Sequence, residues 1–150
     1  MEETPLVYKK DKRTKNLTLR DIHIGDWVQE WSPTAERYSP PRKVSCINYD
    51  GTVYLVSDDE HYCIPDKTEI ENVDAIPIDE DVLIGFGFIF DKITGRYVYP
   101  STHQITYDLE MKCARVGIFG PMFISYFHCL QDFIREIYKH INFEWKGVKK

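Results

Sequence analysis

Long hydrophobic runs are absent: no stretch of this sequence approaches the ~20 consecutive apolar residues of a membrane-spanning helix. No apolar run opens the chain either, and residues 1–16 lack the apolar centre of a secretory signal. The expectation is a cytoplasmic protein that does not enter a membrane. Cysteine is sparse and scattered. Cys46, Cys63, Cys113 and Cys129 form no C-x-x-C pair and no paired spacing. That pattern argues for reduced thiols rather than a disulfide scaffold, and against structural zinc.

Signatures of the commoner chemistries are missing too. Gly85-Phe86-Gly87 is no dinucleotide fingerprint, because the third glycine would fall on Phe90. There is no phosphate-cradling G-x-x-x-x-G-K-S/T, no H-E-x-x-H and no G-x-S-x-G elbow. Two acidic clusters have ordinary explanations. Asp58-Asp59-Glu60-His61 reads as an acidic loop tip without calcium-loop spacing, and Asp79-Glu80-Asp81 reads as a helix start. No cofactor and no metal site is expected.

What the sequence does contain is enough to fold. Of its 150 residues, 43% are hydrophobic and 14% aromatic, and a chain of this length buries roughly 70% of the surface it exposes when unfolded. The net charge is −5, all of it carried by the first 75 residues. Within that acidic half lies a basic run containing Lys9, Lys10, Lys12, Arg13, Lys15 and Arg20. Residues 1–16 are read as a solvated basic arm. They precede a single α+β domain over 17–150, with an SH3-like sub-region at 17–75 and a second sub-region at 76–150.

Period-two patterning dominates both sub-regions. Gly25-Asp26 turns the chain into a strand at Trp27-Val28, and the proline-rich residues 32–41 form a loop. Residues 42–59 read as a hairpin turning at Asp50-Gly51, a dipeptide suited to positive φ. Short strands are predicted at 61–65 and 71–78, and together these make a small barrel or strongly bent sheet. A two-turn helix follows Pro77, opened by the acidic cluster and stopped by Gly85 and Gly87. Two further hairpins are predicted, turning at Thr94-Gly95 and Met111-Lys112, with Gly120-Pro121 ending that sheet.

The closing segment, YFHCLQDFIREIYKHINFEW (residues 126–145), is helical by its 3.6-residue spacing. Phe127, Leu130, Ile134, Ile137, Tyr138 and Ile141 share a stripe, with Phe133 at its edge, so this face is predicted to cover the sheet. His128, Asp132, Arg135 and Lys139 fall opposite and are predicted to avoid the core. A flanking stripe of Cys129, Asp132, Glu136 and His140 has metal-capable residue types. Its ends, however, lie ~16 Å apart, so Cys129 and His140 cannot share an ion.

Three segments, LTLRDIHIGDWV (17–28), DAIPIDEDVLIGFGF (74–88) and YFHCLQDFI (126–134), together resemble small uncharacterised proteins of Bacteroidales genomes and their phages. Those proteins look like L-R-I-G-N-W-V, I-P-L-T-E-E…G-F and Y-V-H-x-L-Q-N-L-Y in the same order. The resemblance implies a shared fold and a phage or prophage origin, and no reaction. Its motifs fall on Trp27, Tyr126, His128 and Gln131, which become the candidate binding residues. This chain departs from the pattern by Cys129, by Asp132 in place of asparagine, and by a longer ending through Phe143-Glu144-Trp145.

The leading expectation is therefore a non-enzymatic interaction protein, a phage or prophage accessory factor binding a host or phage protein. The alternative is a nucleic-acid or nucleotide-binding module using the bent sheet and the basic arm. An enzyme using His128 with a distant acid is a third reading.

Overall fold

The structure is a computed structural model, and it describes residues 14–56, 65–102 and 104–147. Among the described residues the fold is mixed α+β, mostly strands, with two sheets and two α-helices. The chain divides into two compact units, one ending at Ile76 and the other taking up the chain at Pro77. The predicted strand at 61–65 and the acidic cluster at 58–61 fall on residues outside the described set, apart from Pro65.

In the N-terminal unit, β1 (Trp27–Ser32), β2 (Arg37–Tyr38), β3 (Arg42–Ile47), β4 (Thr52–Val56) and β5 (Asp66–Glu69) form an antiparallel half-barrel sheet. Its order is β2-β1-β3-β4-β5, and β6 (Val73–Asp74) pairs with β1. The β3–β4 hairpin turns where predicted, with Gly51 at φ 92°, a conformation that glycine adopts without steric cost. Val44, Val53 and Leu55 point to one side and are buried with Trp27, Val28 and Val73. The proline-rich loop holds more order than expected: β2 lies inside it, because Tyr38 packs its ring 4.9 Å from that of Trp31. β5, with the sequence DKTE, gives no hydrophobic alternation and is held by its ladder to β4.

A buried polar network ties this unit together. Tyr38 Oη donates to Asp74 Oδ2 at 2.5 Å, and Asn16 Nδ2 donates to Asp74 Oδ1 at 3.2 Å. Thr14 N donates to Tyr38 Oη at 2.7 Å, while Gln29 Nε2 donates to the Ala75 carbonyl at 2.9 Å. Asp74 and Gln29 are fully buried, so these bonds replace the water that the Asp74 carboxylate and the Gln29 amide nitrogen gave up, while Gln29 Oε1 has no hydrogen-bond partner among the described residues.

In the C-terminal unit, Asp79 caps α1 (Glu80–Gly85) through Oδ1, which accepts from Val82 N at 2.8 Å. Pro77 sits ahead of the cap, in a bridge to Tyr126 rather than in the first turn. An antiparallel meander follows, with β7 (Ile89–Asp91), β8 (Arg96–Val98), β9 (Ile105–Asp108), β10 (Cys113–Val116) and β11 (Met122–Phe123). Contrary to the expectation that Gly120-Pro121 ends this sheet, it does not. The chain passes them and adds β11 to β10, a two-residue strand too short to show a period. The inner face carries Tyr97, Ile105, Tyr107, Ala114 and Val116, all buried, and α2 (Phe127–Ile137) lies against β10.

The closing helix is shorter than its pattern. Tyr138 leaves helical geometry at φ −124°, ψ 87°, so Glu136 and His140 are not one turn apart on a helix. The stripe continues as an irregular segment that is also core. Phe143 is buried beside Phe88, Tyr99 and Phe127, and Trp145 meets Phe86 edge-on with centroids 5.0 Å apart. Lys146 N donates to the Gly85 carbonyl at 2.8 Å. A β-carbon on Gly85 would stand 2.0 Å from the Trp145 ring. Gly85→Ala is therefore expected to unseat Trp145 and destabilise this unit by about 1–3 kcal/mol, as overpacking does. Urea unfolding with tryptophan emission checks it, since an unchanged emission maximum and midpoint would contradict that packing.

Candidate binding surface

The residues singled out by motif are mostly interior. Trp27 is fully buried, with Lys43 Nζ 5.6 Å from its ring centroid, so it is a core residue of the N-terminal unit and not a docking aromatic. His128 is only 4% exposed, which corrects the expectation that it avoids the core, and Gln131 is 7% exposed. A helical wheel assumes one buried side, whereas α2 buries side chains over a wider arc at its first two turns. His128 Nε2 lies 3.5 Å from Cys129 Sγ, and the Tyr126 ring stands 6.5 Å from the His128 ring. Asp132 meets Arg135 at 3.4 Å. Of the basic run, Lys9, Lys10, Lys12 and Arg13 lie outside the described residues, while Lys15 and Arg20 are exposed.

The N-terminal unit has an open cleft of about 500 Å³ where β1, β2 and the start of β3 meet. Glu30, Arg37, Tyr38 and Arg42 line it together with Ser32 and Ser39. Arg42 is held there by Asp66 at 2.7 Å and Glu30 at 3.8 Å, so most of the cleft's charge is internally balanced.

The surface that sequence reasoning missed is the β11 end of the second sheet. Large apolar side chains stand in solvent there: Phe123 is 72% exposed and Ile118 97%, with Met111, Phe119 and Met122 also exposed. The pairing phase shows why this end is open. Ile124 N donates to the Lys112 carbonyl at 3.0 Å, and Cys113 faces Phe123. In an antiparallel ladder the intervening Phe123 then turns its own N–H and C=O away from β10. Among the described residues, β11 is thus an edge with a free backbone pair and an apolar side chain. Pro121 just before it contributes only a carbonyl. On the outer face beside it lies a cleft of about 220 Å³ lined by Phe123, Pro121, Met111, Cys113, Arg96, Arg115, Thr106 and Asp108.

This edge is anchored from beneath. Tyr107 Oη donates to the Ile124 carbonyl at 2.5 Å, linking β9 to the residue that follows β11. Burial, with the nearby Cys113 and Asp108, pushes the Tyr107 phenol above the ordinary tyrosine value of 10.0. A raised folded pKa means that the contribution of the neutral phenol is complete below pH ~10 and is lost as pH rises through the folded value. Wild-type stability should therefore fall at alkaline pH. Tyr107→Phe, which is less stable at neutral pH, should show a flatter decline above pH ~10. Unfolding midpoints measured across that range check it, and parallel declines in the two proteins would refute the role of Tyr107.

The signal for Phe123 was present but weak, since Met122-Phe123-Ile124 is an apolar triplet between a proline and a polar serine. Three residues cannot show whether they face a core or solvent. Among the described residues, no helix is long and apolar enough to cross a membrane. No protein-family model, curated protein or solved structure matches the chain.

Proposed function

We propose that this chain is a non-enzymatic binding protein whose C-terminal sheet docks another protein at its β11 end. The exposed apolar cluster of Phe123, Met122, Ile118, Phe119 and Met111, beside a strand edge unpaired among the described residues, carries this reading. Natural sheets normally shorten, charge or cover such an edge, because it templates pairing with another chain. Here the edge is short, yet it ends in an exposed aromatic, and contiguous exposed apolar residues mark interaction sites. An accessory factor of a phage or prophage, as the resemblance implies, would engage a host or phage protein in this way.

Aromatic residues at the centre of an interface cost 2 kcal/mol or more when truncated, which is roughly thirtyfold in affinity. Affinity recovery from native cells should therefore yield a protein partner for the wild-type chain and roughly thirtyfold less of it for Phe123→Asp, with unfolding midpoints unchanged. Recovery of no protein, together with turnover of a small metabolite by the purified chain, would overturn the proposal.

A further inference from the structure

We infer that the β11 edge and its adjoining cleft take an extended peptide in which an acidic residue accompanies an apolar one. This inference rests on the docking role proposed above and specifies the chemistry of the partner. Phe123 offers one N–H and one C=O outward, and the Pro121 carbonyl points to the same side two residues earlier. A strand laid against them would make main-chain hydrogen bonds and extend the five-stranded sheet. The peptide residue opposite Phe123 would share its face, since alternate side chains project to the same side. That face is the one holding the 220 Å³ cleft, where Met111, Pro121 and Phe123 supply an apolar wall.

The charge of the cleft decides the rest. Arg115 on β10 pairs with Thr106 on β9, while Arg96 on β8 precedes Tyr97, the partner of Tyr107, and so lies at the level of Asp108; both line the cleft from either side of β9. Neither guanidinium has an ion-pair partner among the described residues. The cleft's single acid, Asp108, has its Oδ1 engaged by the Met111 N–H at 3.1 Å. Two arginines against one carboxylate leave a positive excess, and arginine matches a carboxylate with two parallel donors. A basic segment would be repelled, and a purely apolar one would leave both guanidiniums facing apolar groups.

The test is selection from a random-peptide display library on the full-length chain, followed by fluorescence anisotropy of the enriched peptides. The expected winners combine an acidic residue with an apolar residue at strand spacing. Replacing that acid by lysine should weaken binding roughly tenfold or more, and Arg115→Glu should reverse the preference. Methylating the peptide nitrogen opposite Phe123 should weaken binding by a similar factor, without touching the protein. Enriched peptides without an acid, or none at all, would overturn the inference. If recovery of the native partner still depended on Phe123, the docking role would survive that failure; if recovery lost this dependence, both would fall. A particle mass of twice the chain that Phe123→Asp reduces to one would identify a second copy as the occupant and overturn the peptide.

Discussion

Phe127→Ala is expected to destabilise the C-terminal unit by about 3–5 kcal/mol, the range for removing a buried phenylalanine. Phe127 is fully buried, stacks on Phe86 with centroids 3.9 Å apart, and meets Phe143 edge-on at 5.3 Å. The cavity cannot close easily. One of its walls is a helix, another is the irregular ending that holds Phe143, and neither moves without losing other contacts. A loss of this size is a large fraction of the roughly 5–15 kcal/mol that keeps a domain folded. Urea unfolding combined with segment-resolved hydrogen exchange measures it. Protection should fall across α1, α2 and the ending together. A loss below about 1 kcal/mol would show that the aromatic cluster is loosely packed.

The second large effect belongs to a single carboxyl group. Asp74→Ala removes, in a buried site, the carboxylate that accepts from the Tyr38 hydroxyl and from the Asn16 amide, with Thr14 Oγ1, 3.3 Å from that hydroxyl, as a poorer substitute acceptor. Each buried polar group stranded in this way costs about 1–3 kcal/mol, so a total near 3 kcal/mol is expected. Asn16 retains partners in the Val73, Glu71 and Ile70 carbonyls, which places most of the loss at Tyr38. Tyr38→Phe in the Asp74→Ala background should then add little, because the stranded hydroxyl goes with it. Additive losses in that double-mutant cycle would refute the coupling.

Much of the fold was legible because local chemistry and tertiary structure agreed. Asp50-Gly51 and Thr94-Gly95 turn the chain through local chemistry, with positive φ at the glycines and short-range hydrogen bonds to the Asp50 and Asp91 carboxylates. Asp79 caps α1 through a bond three residues long. The apolar stripe of Phe127, Leu130 and Ile134 is buried as its spacing requires. The binding residues were not legible in the same way. Trp27, His128 and Gln131 stood out by residue type, yet burial is a property of what surrounds a side chain, and motif spacing does not report it.

The sequence by itself therefore determined the α+β class, most hairpins and both helix starts, since turn geometry, capping and periodicity act within a few residues. Only the tertiary structure decided that Tyr38 and Asp74, 36 residues apart, share a proton-donating bond in the core. It alone decided that the tail returns Trp145 to Gly85. It also set the ladder phase between β10 and β11, which turns the backbone of Phe123 outward. That phase depends on which partner strand each residue meets, a long-range choice that no window of neighbouring residues contains.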